Sequence, residues 1–297
     1  MNAIELAGVT KTYGDHVAVD SLDLVVPRGT VYGFIGPNGS GKTTTLRMIL
    51  RILDADRGTV RVLGQDSGDV VNDRVGYLPE ERGLYKRMRV KELLKFFAQL
   101  KGVRDPRRDI ADWLERLGLA DWADKRVDAL SKGMAQKVQF IAAVVARPEL
   151  LILDEPFSGL DPVNQESLKD SVLALRSSGT TILFSTHDMD VAERMCDTIC
   201  MIFRGRKVLD GSLAAIQQQF GDDTIRVRAP GANGELLKLP GVQRVNNFGA
   251  YQELRIDPGA EPRAILRTLL DHSTVEHFEL CRPSLRDIFV RIAGPDS

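Results

Sequence analysis

Cysteine is scarce in this 297-residue sequence: three residues, Cys196, Cys200 and Cys281. An odd number with no metal-ligand spacing beside it argues against a disulfide framework and a thiolate metal centre, and for free thiols in a reducing compartment. Basic excess is also missing, with 40 Lys+Arg against 41 Asp+Glu and a net charge of -1. That balance argues against a nucleic-acid protein held by counterion release. No apolar run approaches the ~20 residues that span a bilayer; the longest lies around Phe140–Ala146. The N-terminus, MNAIELAGVTKTYG, has no basic region followed by an apolar one, so no signal peptide is expected. There is no internal repeat, no low-complexity tract and no Asn-Lys-x-Asp, the usual guanine reader. The short basic clusters Lys86–Arg89 and Arg104–Arg108 lack interleaved aromatics and read as solvated faces. The expectation is a cytoplasmic chain that does not itself cross a membrane.

What is present is the composition of a soluble globular protein, 43% hydrophobic and 27% charged. A chain of this length needs no covalent staple and suggests one large domain or two unequal ones. Thr30–Ile35, Leu150–Leu153 and Thr180–Phe184 are short apolar runs bounded by turn residues, as expected of buried strands in a mostly parallel sheet. Thr43–Leu53 places Leu46, Ile49, Leu50 and Leu53 on one helix face. Val90–Lys125 reads as helices throughout, a helical insertion within about 84–145 of an α/β domain. Near Gly221 the texture changes to short strands (Thr224–Val227, Tyr251–Ile256), turn clusters (Pro230-Gly231, Pro240-Gly241, Asp257-Pro258-Gly259) and one clear helix, Pro262–Leu270. The predicted organisation is an α/β domain over 1–220 and a small α+β domain over 221–297.

Gly36-Pro37-Asn38-Gly39-Ser40-Gly41-Lys42-Thr43-Thr44 matches G-x-x-x-x-G-K-[ST] between a buried strand and an amphipathic helix. Glycines allow a turn that aims successive N–H groups at phosphate oxygens, and the helix N-terminus adds partial positive charge. Lys42 can reach the β- and γ-phosphates and the Thr43 hydroxyl can bind Mg²⁺. A second element, Leu150–Leu153 followed by Asp154-Glu155-Pro156, puts two carboxylates at the carboxyl end of a strand, where open α/β sheets bind ligands. Asp154 is placed to hold Mg²⁺ through water, and Glu155 to polarise the water that attacks the γ-phosphate.

With these motifs in place, residues 3–220 resemble the ATP-binding subunit of ABC transporters, a P-loop ATPase. Further elements match in order: Tyr13 in VTKTYG, Leu130-Ser-Lys-Gly-Met-Ala-Gln-Lys137 as the signature loop, Ser158-Gly-Leu-Asp161 as the D-loop and Ser185-Thr-His187 as the switch histidine. The resemblance implies that Tyr13 stacks on adenine, His187 contacts the γ-phosphate, and Asp161 belongs to the nucleotide site. Ser131 reads as an N-cap, so the signature helix offers a second anion-binding start. The resemblance makes this a head-to-tail dimer with two ATP molecules held between Lys42 of one copy and Ser131 and Gly133 of the other. One phosphate loop per chain favours a homodimer, with an asymmetric partner possible.

Two departures stand out. Lys132 and Met134 replace residues of the common LSGGQ signature. Lys132 either adds charge near the partner-bound phosphate or is an exposed first-turn lysine. Glu80, in Val75-Gly-Tyr-Leu-Pro-Glu-Glu-Arg-Gly-Leu-Tyr85, stands where most members have a glutamine that joins the Mg²⁺ shell. A carboxylate can still ligate Mg²⁺ but adds negative charge beside the triphosphate. Both segments are similar to the subgroup serving ABC-2-type exporters, such as the sodium-efflux ATP-binding subunit, and Pro283-Ser-Leu-Arg-Asp-Ile-Phe289 to its small C-terminal domain. The resemblance implies an ATPase at the inner face of the cell membrane, docked on a separate permease, with no nucleic-acid partner. The rival readings are a soluble ABC ATPase acting on nucleic acid or ribosomes and an ATP-binding regulatory subunit with little turnover.

Overall fold

The computed structural model describes residues 1–66, 71–81, 83–220, 223–230, 236–257 and 259–294, and it falls into two units, Met1–Ser212 and Leu213–Ser297. Arg82, Gly221, Gly231 and Pro258, which figure in the sequence reading, lie outside the described residues.

A six-stranded sheet organises the first unit. In spatial order its strands are Arg206–Gly211, Thr198–Phe203, Val31–Ile35, Thr181–Thr186, Leu150–Asp154 and Val75–Leu78. All neighbours run parallel except the edge pair Arg206–Gly211 and Thr198–Phe203. The central strands are buried along their whole length. Successive side chains on a strand point to opposite faces, and here each face has its own core. Leu151, Leu153, Ile182 and Phe184 pack with the helices of the insertion, whereas Leu150, Ile152, Leu183, Tyr32 and Phe34 pack toward the N-terminal strands. Two covered faces explain why these segments read as unbroken apolar runs rather than alternating ones.

The N-terminal strands Asn2–Tyr13, His16–Pro27, Arg57–Val62 and Gln65–Asp66 form a separate antiparallel sheet with the first strand between the second and third. Its inner residues, among them Ile4, Leu6, Leu22 and Leu24, close the second core. Sequence reading had not singled out these strands.

The helix after the phosphate loop spans Lys42–Ile49, shorter than the expected Thr43–Leu53. Arg51 turns left-handed (φ +56°) and stops it, while Leu50 and Leu53 still pack against the core. The insertion is not helical throughout: Val90–Leu100 and Arg107–Arg116 are separated by a turn at Gly102 (φ +79°) and followed by a single 3₁₀ turn, Ala120–Trp122. Both helices bury an apolar stripe, Leu93, Leu94 and Ala98 in the first, Ile110 and Leu114 in the second, against Lys132–Val144.

The second unit has an antiparallel sheet in the order Val242–Asn247, Gln252–Ile256, Thr224–Arg228, His277–Cys281. Pro262–His272 lays Ile265 and Leu269 on its core. Three α-helices rather than one occur among the described residues, the others being Leu213–Phe220 and Leu285–Ala293. The two are tied together, Gln217 Nε2 donating to Pro283 O (3.1 Å) and Arg291 Nη1 to Phe220 O (3.3 Å). Leu213–Phe220 therefore belongs to this unit, which begins before the expected boundary at 221. No helix among the described residues is long and apolar enough to cross a membrane.

Candidate nucleotide site

The Gly36–Thr44 loop leaves the carboxyl end of Val31–Ile35 and runs into the N-terminus of Lys42–Ile49. Two of its glycines are required sterically. A Cβ on Gly36 would sit 2.3 Å from Ile202 O, and one on Gly41, whose φ is +106°, 2.4 Å from Ala18 O. Lys42 is buried and donates from Nζ to Gly36 O (2.7 Å) and Pro37 O (3.1 Å), folding back over the loop. Burial lowers its pKa, while the carboxylates of Glu155, Asp154 and Glu80 push the other way. Ser40 Oγ, also in the loop, is buried without a hydrogen-bond partner.

The acidic pair sits at the end of the neighbouring strand but one. Ser185 Oγ donates to Asp154 Oδ1, leaving Asp154 Oδ2 buried and unpartnered. Glu155 has a left-handed backbone (φ +49°), a conformation that costs a non-glycine residue about 1–3 kcal/mol. Its N–H donates to Ser185 O and Ser185 Oγ, both at 3.2 Å, which holds the turn. The buried carboxylate then faces three groups: His187 Nδ1 at 2.9 Å from Oε1, Lys42 Nζ at 3.8 Å from Oε1, and Thr186 Oγ1, which donates to Oε2 at 3.4 Å.

A cavity of about 410 Å³ opens over the loop. Its floor is Asn38, Gly39 and Gly41 to Thr44, with Glu80 and Glu155 on one side. Tyr13, His16 and Ala18 of the N-terminal sheet form another wall, with half of Tyr13 exposed. The structure thus brings together Tyr13, the phosphate loop, Glu80 and Glu155, with Asp154 and His187 bonded close by. Glu80 is carried on a segment pinned by Gln139 Nε2, which donates to Pro79 O (3.4 Å) and Glu81 O (3.1 Å).

Ser131, Gly133 and Asp161 do not line this cavity. Ser131 caps Lys132–Val144, its Oγ accepting from Met134 N (3.2 Å), and Asp161 caps Pro162–Ser177, its Oδ1 accepting from Asn164 N (3.1 Å). The two caps are adjacent, since a Cβ on Gly133 would lie 3.4 Å from Asn164 Nδ2. Sequence reasoning missed His16, Ala18, Ser185, Thr186 and Gln139. Ser185 and Thr186 lay within the quoted switch motif, but only the fold makes them partners of Asp154 and Glu155. His16 carried no signal beyond its closeness to Tyr13.

A phosphate-cradling loop between strand and helix, an acidic strand end and an adjoining polar strand end define a P-loop nucleoside triphosphatase. The ABC transporter family model matches residues 19–158, and the model of the C-terminal domain of DrrA1-3-like ATP-binding proteins matches 211–293. The uncharacterized ABC transporter ATP-binding protein YhaQ of Bacillus subtilis is 42% identical, over 96% of this chain and 97% of its own length. The Nod factor export ATP-binding protein I of Paraburkholderia xenovorans is 39% identical, over 98% and 97%. A solved ATP-binding subunit of an ABC transporter superposes with a TM-score of 0.70 at 31% identity, covering 74% of this chain and 93% of that one. The chain belongs to the ATP-binding proteins of ABC transporters, the ATPases that power transport, in the group with a DrrA-like C-terminal domain.

Proposed function

We propose that this chain binds ATP in the cavity over Gly36–Thr44, hydrolyses it, and drives an ABC-2-type exporter by ATP-dependent closure of a dimer coupled to a separate permease at the inner face of the membrane. The observation that carries the reading is the Glu155 carboxylate, held between Lys42 and His187 beside the phosphate loop.

In this reading the loop N–H groups and the helix N-terminus take the phosphates, and Lys42 leaves its carbonyl partners for the β- and γ-oxygens. Tyr13 offers its exposed ring to the adenine. Thr43, Asp154 and Glu80 would hold Mg²⁺; the buried, unpartnered Asp154 Oδ2 fits a hard cation or its water. Mg²⁺, when bound, supplies neutralisation of charge on the transferred phosphoryl group. Glu155 polarises the attacking water, and His187 holds Glu155 in place and contacts the γ-phosphate. Ser131, Gly133 and Asp161 lie outside the cavity of their own chain, which supports a role at the ATP of a second copy. Export is favoured by the named function of the 39%-identical relative.

Sedimentation of Glu155→Gln protein tests the dimer. With Mg-ATP it is expected to run as a dimer and without nucleotide as a monomer, whereas a monomer in both conditions would overturn the sandwich.

A further inference from the structure

A second cavity, of about 360 Å³, lies wholly within the C-terminal unit. Its volume is within the roughly 300–1,000 Å³ range of small-molecule sites. Four arginines line it, Arg244, Arg255, Arg286 and Arg291, against two carboxylates, Glu253 and Asp287.

The carboxylates are already engaged. Glu253 is buried and accepts from Arg226 Nη2 (2.9 Å), and Asp287 accepts from Ser284 N (3.2 Å). Arg291 is bound by Asp223 (3.0 Å), which also lies 3.6 Å from Arg255 Nε. That Nε is buried and has no hydrogen-bond acceptor. The guanidinium groups of Arg244 and Arg286 make neither a hydrogen bond nor an ion pair with any described residue. Two unpaired guanidinium groups and one orphaned N–H therefore face a single concavity, where the Asp287 carboxylate, bonded to Ser284, offsets part of their charge. Bidentate binding of carboxylate or phosphate is the chemistry such groups are suited to. Val245, Val290 and the exposed ring of Phe248 complete the wall, giving the body of a ligand apolar surface. Asn246 and Asn247 add amide groups that can bond hydroxyls.

We propose that the C-terminal unit binds a small organic oxyanion, a hydroxylated phosphate ester or polycarboxylate, in the cavity between Arg244, Arg255 and Arg286. This site is separate from the nucleotide cavity, so its loss leaves ATP turnover as an independent readout.

The test is titration calorimetry on the full chain with three probes: glucose 6-phosphate, citrate and inorganic phosphate. At least one of the two organic anions is expected to bind one per chain at about 1 mM or tighter. Arg244→Gln with Arg286→Gln should weaken that binding about tenfold or more. Val290→Trp, which fills the cavity without removing charge, should weaken it similarly. Neither variant should shift the melting temperature or the rate of ATP hydrolysis. Glucose 6-phosphate and citrate distinguish the two sources of the oxyanion, and either supports the site. Binding by neither organic probe, binding unchanged in both variants, or inorganic phosphate binding as tightly as the organic anions would overturn it.

Discussion

At the scale of single residues, the phosphate-loop lysine is already paired with the proposed catalytic carboxylate before nucleotide arrives. Lys42 neutralises Glu155 at 3.8 Å and spends its donors on loop carbonyls. Burial holds its pKa below the ordinary 10.5. In the window between the lowered value and 10.5, the unfolded chain binds more protons at this group than the folded one. The group's contribution to stability therefore rises with pH through that window. A bound triphosphate restores the charged form, so ATP binding should take up a proton there. Calorimetry at alkaline pH in two buffers of different ionisation enthalpy is expected to find this uptake, and Lys42→Met should abolish it. Equal heats in the two buffers for the unmodified protein would refute the assignment. For Glu155→Gln, ATP binding is expected to survive while steady-state hydrolysis falls about 10²–10⁴-fold. A turnover number within a few-fold of the unmodified protein would remove Glu155 from the chemistry. The phosphate loop, Asp154-Glu155 and His187 were legible because their spacing is local. Ser185 and Gln139 were not, because their partners at Asp154 and Pro79 come from distant parts of the chain.

At the scale of elements, the close approach of the loop to the N-terminal sheet is a packing requirement. Gly41 and Gly39 both have positive φ, but only Gly41 has a neighbour, Ala18 O, in the way of a Cβ. Gly39→Ala should therefore cost about 1 kcal/mol of backbone strain. Gly41→Ala should cost about 3 kcal/mol or more, with a melting temperature lower by several degrees. Equal melting curves for the two variants would contradict the close approach. The parallel strands could be read from their apolar runs, since both faces are covered. The N-terminal antiparallel strands could not: bulges break the register of Asn2–Tyr13 at several points and with it the period-two pattern. Pro283–Phe289 was read as a motif of the C-terminal domain; in the structure it opens the helix Leu285–Ala293, and its cap, Ser284 Oγ accepting from Asp287 N (3.1 Å), shows why the helix starts there.

At the scale of the whole molecule, a chain with one phosphate loop has its signature serine outside its own cavity. The site is therefore proposed to be completed by a second copy, and the machine by a separate permease. Stability gained through ligand-linked association follows mass action, so the dimer of Glu155→Gln should strengthen with ATP concentration and weaken in Ser131→Ala. Sedimentation across a nucleotide series checks this; a Ser131→Ala effect no larger than that of an exposed control serine would contradict the shared site. No motif in the sequence names the permease or the transported substrate. The most direct measurement is affinity capture of tagged Glu155→Gln protein from gently solubilised native membranes, with and without Mg-ATP. Recovery of a stoichiometric multi-span subunit is the predicted result. A protein that remains wholly in the soluble fraction, with no membrane partner in either condition, would contradict the account.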